Sequence, residues 1–187
     1  MATRLKPVPI TPQQYLEIQR TTDVRSEYLA GEMVALAAPS RAHGIILMNI
    51  AGALTGPLRN TNCIGNVGTV VAAPASFLIP DLVVFCGGGD FTEHNEVLRN
   101  PTVIFEILSP STSDYDHGHK WILYQQIPSL IHYVLVFQDE ARVEVFSRES
   151  DGGWHYEVAT DLDSSINLTA VNCQIGLASI YDRLAFE

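Results

Sequence analysis

Along this 187-residue chain the apolar positions change period several times, and each change marks an element. TPQQYLEIQR, from Thr11, has a capping threonine, Pro12 at the first helical position and apolar Tyr15, Leu16 and Ile18, which predicts a short helix. EYLAGEMVALA predicts a hairpin turning at Ala30-Gly31. PSRAHGIILMNIAGALTGPLRN carries apolar Ile46, Met48–Ile50, Ala53 and Leu54 at helical spacing. It predicts the longest helix, capped by Ser40 and ending near Gly56-Pro57. Three strands follow: CIGNVGTVV, SFLIPDLVVFC and TVIFEILS. The glycine-rich GGGDFTEHNEVLRNP between the last two is a loop with room for one helical turn. HGHKWILYQQI predicts a helix closed by Pro128. IHYVLVF and RVEVFSR form a hairpin through QDEA, DGGWHYEVA adds another arm, and the tail INLTAVNCQIGLASIYDRL is a strand, a connection and a last helical turn.

Helices and strands in this order imply an α+β or α/β fold, with one central mixed sheet flanked by helices and extra C-terminal β-hairpins. Residues 1–10 are expected as a loose lead-in and 11–187 as one domain, with no internal repeat.

Composition narrows the function classes. The formal net charge is −10, which disfavours sequence-blind nucleic-acid binding driven by phosphate neutralisation. It leaves room for a local basic cleft or for charge supplied by a divalent cation. No apolar run reaches the roughly 18 residues of a membrane span, and the start MATRLKPVPITPQQYLEIQ lacks the core and cleavage site of a secretory signal. Cys63, Cys86 and Cys173 form no CxxC pair, and free buried thiols in a reducing cytoplasm are the expectation. Lys6 and Lys120 are the only lysines.

Two acids stand where apolar residues are expected. Asp81 interrupts FLIPDLVVF and Glu106 interrupts VIFEIL. A buried carboxylate costs several kcal/mol (on the order of 2–7) unless it is paired, hydrogen-bonded or metal-bound. Hard oxygen ligands of this kind suit Mg²⁺ or Mn²⁺. The alternatives are structural: Asp81 as a strand-end hydrogen-bonding group, Glu106 as the partner of an arginine such as Arg41, Lys120 as a helix-surface lysine, and His43 as a helix-start imidazole. His117 and His119, at i and i+2, do not converge on one helix face and are expected as surface histidines. SPSTS lacks the serine-hydrolase elbow, so Ser109 and Thr112 are expected to cap the turn and the helix start. GGG at Gly87–Gly89 lacks a P-loop's following lysine.

Pro80-Asp81 followed by Glu106–Leu108 resembles the PD-(D/E)XK nuclease pattern, with Leu108 where its lysine would stand. Asp116, Lys120 and Tyr124, at i, i+4 and i+8, line one face of the following helix, so Lys120 can fill the space of the missing strand lysine. EYLAGEMVALAAPSRAHG, PDLVVF, FEILSPSTSDYDHGHKWILYQQIPSLIHYVLV and RVEVFSR resemble the bacterial putative restriction endonuclease family, a branch of that superfamily, over roughly Thr11 to Leu184. The resemblance implies a restriction-endonuclease-like core and a Mg-dependent endodeoxyribonuclease. It maps Asp81 and Glu106 onto metal ligands, joined by the Ile107 carbonyl, and Lys120 onto the catalytic lysine. Glu27, Glu32 and His43 match recurring positions, and Glu32 and His43 are added to the catalytic candidates. The implied partners are DNA and a second copy of the chain, since IHYVLVFQDEARVEVFS is expected to expose a strand edge. The competing expectation is a non-catalytic dimeric binding module that keeps the nuclease fold, which the acidic charge and scarce lysine favour. A rim of Arg41, Arg59 or Arg99 around Asp81 would speak for the nuclease.

Overall fold

The computed structural model describes residues 9–92, 94, 96–109 and 115–186. Thr112 and most of the lead-in lie outside these. Helix α1 (Pro12–Gln19) begins as its sequence requires: Thr11 and Gln14 exchange side-chain and backbone hydrogen bonds in a capping box, with Pro12 at the first turn. Strands β1 (Ser26–Leu29) and β2 (Glu32–Ala35) form the expected hairpin. Its turn places Ala30 and Gly31 at φ 47° and 103°. A Cβ on Gly31 would come within 2.7 Å of the Pro9 side chain, so the position has neither the backbone freedom nor the space for another residue.

Helix α2 (Arg41–Leu58) is capped by Ser40, whose hydroxyl accepts from the His43 amide. It buries Ile46, Ile50 and Leu54 and turns Met48 to solvent. Two of the expected strands are each split. CIGNVGTVV divides into β3 (Cys63–Val67) and β4 (Val70–Ala73), and SFLIPDLVVFC into β5 (Ser76–Leu78) and β6 (Leu82–Cys86). In each pair the two halves join different sheets. The glycine-rich loop carries a short strand, β7 (Val97–Leu98). Then come β8 (Pro101–Leu108), a π-helical turn (Asp116–Lys120), α3 (Trp121–Tyr124), β9 (His132–Phe137), β10 (Val143–Arg148) and β11 (Trp154–Ala159). The tail adds β12 (Ser165–Leu168), a 3₁₀ turn (Thr169–Val171), β13 (Cys173–Gly176) and α4 (Leu177–Ile180).

The mixed α/β class holds, but among the described residues the strands build two main sheets rather than one. One has the order β2-β1-β5-β4-β7, the other β11-β10-β9-β8-β6-β3, and β12-β13 is a small ribbon. In the six-stranded sheet β8 and β9 run parallel and the other neighbours antiparallel. Side chains alternate across it. Val103, Phe105, Ile107, Val134 and Val136 pack against α2 and the C-terminal ribbon, while Ile104, Leu108, Tyr133 and Leu135 pack against β4, β5 and α3. Hairpin β9–β10 is internal, so the exposed edge expected there belongs to β11 and β3 instead.

The cysteine expectation is corrected. Register sets Cys63 directly opposite Cys86 on β3 and β6, and the two form a disulfide, leaving Cys173 free and buried. Twenty-three residues separate them in sequence, so nothing local announced the pairing. Among the described residues no helix is long and apolar enough to cross a membrane.

Candidate active site

The chain crosses from one sheet to the other at Ile79–Asp81, and the site is built around that crossing. Backbone amides there fall outside both ladders and need acceptors. Glu27, fully buried on β1, accepts from the Ile79 amide through Oε1 at 2.9 Å. Asp81 accepts through Oδ2 from the amide of Ile107 at 2.7 Å, just past the point where β6 stops pairing with β8. Its other oxygen, Oδ1, lies 3.0 Å from His43 Nε2 at the start of α2. Ring atom Nδ1 of His43 is buried with no partner among the described residues.

Glu106, on β8, faces the aromatic side of the six-stranded sheet, and Lys120 reaches it from the π-helical turn. The ammonium stands 2.9 Å from Glu106 Oε1, 3.2 Å from Glu27 Oε1 and 3.3 Å from Asp116 Oδ1. All four side chains are almost completely buried. The Tyr124 hydroxyl also donates to Glu106 Oε1 at 2.9 Å, and the Tyr115 hydroxyl donates to Glu27 Oε2 at 2.9 Å. Three carboxylates thus meet one ammonium, with Asp81 close behind. Burial drives the Glu106 pKa well above the ordinary carboxylate range, and Asp116, Asp81 and Glu27 add to the rise while Lys120 opposes it. Burial works against the Lys120 charge, but Glu106, Glu27 and Asp116 outweigh it and hold its pKa well above the ordinary lysine value. The two shifts are both upward but differ in origin: burial leads for Glu106, with the neighbouring acids adding to it, whereas for Lys120 the three acids overcome burial.

Of the residues singled out in the sequence, Asp81, Glu106, Ile107, Lys120 and His43 lie at this crossing. Glu106 is paired with Lys120, not with Arg41. Glu32 is not there. It lies exposed on edge strand β2, opposite Leu29, and the buried hairpin acid is Glu27. His117 departs from its expected role as a surface histidine: its Nε2 lies 2.8 Å from the buried carboxylate of Glu144. Arg41 opens α2, exposed and two residues from His43, whereas Arg59 ends the same helix and Arg99 pairs loosely with Asp90 at 3.9 Å. Among the described residues no group of three or more His, Cys, Asp or Glu side chains is placed to hold a metal.

The sequence profile of the Uma2 family, described as putative restriction endonuclease, matches residues 12–178. The chain belongs to this family. Among relatives of the Uma2 chain, the uncharacterized protein slr1290 of Synechocystis sp. is 27% identical over 183 residues, covering 95% of this chain and 94% of that one. The uncharacterized protein sll1609 of the same organism is 28% identical over 149 residues, covering 78% and 84%. A solved structure described as a putative nuclease belonging to DUF820 from Anabaena variabilis superposes with a TM-score of 0.76 at 19% identity, covering 92% of this chain and 97% of that one. That likeness establishes the nuclease-like fold.

The site residues that sequence reasoning left without a role in this Uma2 chain are Glu27, Asp116, Tyr115 and Tyr124. Asp116 and Tyr124 carried a signal in their spacing from Lys120. Glu27 carried little, because a hairpin sequence does not say which arm becomes the edge.

Proposed function

We propose that this protein is a metal-dependent endonuclease that hydrolyses DNA phosphodiester bonds. The observation that carries the proposal is the buried convergence of Glu106, Glu27 and Asp116 on Lys120, beside the Asp81–His43 pair. A pocket with this surplus of carboxylates has the hard donors and the charge deficit that a divalent cation satisfies. Mg²⁺ commonly needs only one or two carboxylates, with water and substrate oxygens completing its shell. Asp81 and Glu106, with the Ile107 carbonyl, are the groups that would hold Mg²⁺ or Mn²⁺. When bound, such an ion polarises the scissile phosphate and makes a water more acidic.

The chain's own residues do the rest. Tyr124 orients Glu106, and Tyr115 orients Glu27. Lys120, kept protonated by its three acids, presents positive charge to the phosphate. His43 is held by Asp81 at the start of α2, where exposed Arg41 adds positive charge against the acidic background. A second copy meeting along an exposed sheet edge would supply a second site for the opposite strand.

One observation favours the non-catalytic module: both Asp81 oxygens already have protein partners, His43 and the Ile107 amide. Cleavage assays on plasmid, single-stranded DNA and RNA with Mg²⁺ or Mn²⁺, beside Asp81→Ala, separate the two. Metal-dependent cutting of DNA that Asp81→Ala abolishes supports the nuclease. No cutting of any substrate, with either metal, overturns it.

A further inference from the structure

Glu106 has a counterpart on its own sheet face. It lies opposite Leu135 on β9, and Leu135 lies opposite Glu144 on β10. Strands in a sheet are about 4.8 Å apart, so the two acids are two strands, about 10 Å, from each other. The π-helical turn spans that interval, with Lys120 at Glu106 and His117 at Glu144. The Glu144 carboxylate is only 2% exposed. It has a second partner just before its own strand, Arg142, whose Nη2 lies 2.6 Å away and whose guanidinium covers the Phe137 ring.

Two points separate this acid from a structural ion pair. Arg142 already neutralises Glu144, so the contact to His117 is not needed for charge balance. A buried ion pair is also poor value for stability, since an apolar side chain of like volume is commonly as good or better. The neighbours on this face, Tyr133, Leu135 and Phe146, are apolar or aromatic. What Glu144 provides that leucine would not is a grip on the π-helical turn. Single π turns inside helices recur at functional sites.

We propose that Glu144 and His117 are positioning residues that hold the π-helical turn so that Lys120 stays over Glu106. The inference rests on the reading of Lys120 as the residue that meets the phosphate, but its test does not need cleavage. Lys6 and Lys120 are the only lysines, so in a Lys6→Arg background Lys120 carries the only lysine amine. Its acylation by an amine-directed reagent, followed by peptide mass spectrometry, reports how often the amine leaves its pocket.

His117→Ala is expected to speed Lys120 acylation by about tenfold or more, while His117→Gln, whose amide can still donate to Glu144, stays within about twofold of the parent. Glu144→Leu should speed acylation as His117→Ala does, with a lower melting midpoint because Arg142 loses its partner. Glu157→Gln, in the exposed His155 pair on β11, should change nothing. Folded His117→Ala protein with parental acylation overturns the proposal, as does an equal rise in His117→Ala and His117→Gln. If Glu144→Leu does not fold, the two His117 variants decide alone. DNA cleavage measured on the same set should fall in His117→Ala and recover in His117→Gln. A parent that cuts nothing would sink the nuclease reading while the acylation rates still judge the positioning pair.

Discussion

The two faces of the six-stranded sheet solve the problem of buried polarity in opposite ways. On the face covered by α2 and the C-terminal ribbon, the core is aliphatic and its notable polar group is His132. There the ring is neutral and shared out: Nδ1 lies 2.9 Å from the Ser147 hydroxyl, and Nε2 accepts from the Ala170 amide and meets Thr169 at 3.3 Å. Burial lowers its pKa to about 4. The other face carries Glu106 and Glu144, with Lys120 and His117 reaching down to them. One face discards charge to stay stable. The other gathers buried ionisable groups with raised pKa values at Glu106 and Lys120, which makes it the candidate functional face.

Removing the ammonium should break this contrast most. Lys120→Met leaves Glu27, Glu106 and Asp116 facing one another in a buried pocket, and should destabilise the fold by about 3–5 kcal/mol in urea titrations. Glu106→Gln, by contrast, removes one of three acids and leaves Lys120 two partners. Its midpoint should lie within about 1 kcal/mol of the parent without metal. If the two variants lose stability equally, the pocket is a balanced ion pair and not an acid surplus.

On the aliphatic face, the Cys63–Cys86 disulfide ties edge strand β3 to β6 across 23 residues. Cys63→Ser should cost about 3 kcal/mol by loop-entropy arguments, and reducing agent should lower the parent's melting midpoint but not the variant's.

His132 sharpens the comparison through pH. Its folded pKa lies below the unfolded value, so the unfolded chain binds the extra proton first. The stability it supports is complete above about 6.5 and is lost as pH falls towards 4. His132→Gln should flatten that part of the stability profile relative to the parent, as read from denaturation midpoints at successive pH values.

The smallest effect is expected at Glu32. Exposed on β2, it should tolerate Glu32→Gln within about 0.5 kcal/mol and with unchanged cleavage. Glu27→Gln should lose activity. Equal loss in both would return Glu32 to the site.

Which acids were visible before the fold is itself instructive. Asp81 and Glu106 stood out because each broke an apolar strand, and Lys120 because lysine is scarce. Spacing placed Asp116 and Tyr124 on the lysine's side of the helix. Sequence alone could not separate Glu27 from Glu32, because both acids sit in one hairpin with similar neighbours. β1 is interior only because β5 pairs with its far side, a contact made 49 residues downstream between Tyr28 and Phe77. The split of SFLIPDLVVFC between two sheets was equally hidden, although Pro80, which has no amide to give, marks the crossing.

Local order was therefore determined by the sequence itself: capping at Thr11 and Ser40, the turn at Ala30-Gly31, the strand periods and the oddity of acids inside them. These depend on residues a few positions apart, whose steric and hydrogen-bonding preferences act in any context. Tertiary structure decided which strands became edges, that Cys63 meets Cys86, and that Glu27 and not Glu32 reaches Lys120. Those outcomes follow from register between distant segments. A shift of one residue turns a side chain to the other face of its sheet, and that choice is made by burial of the whole core.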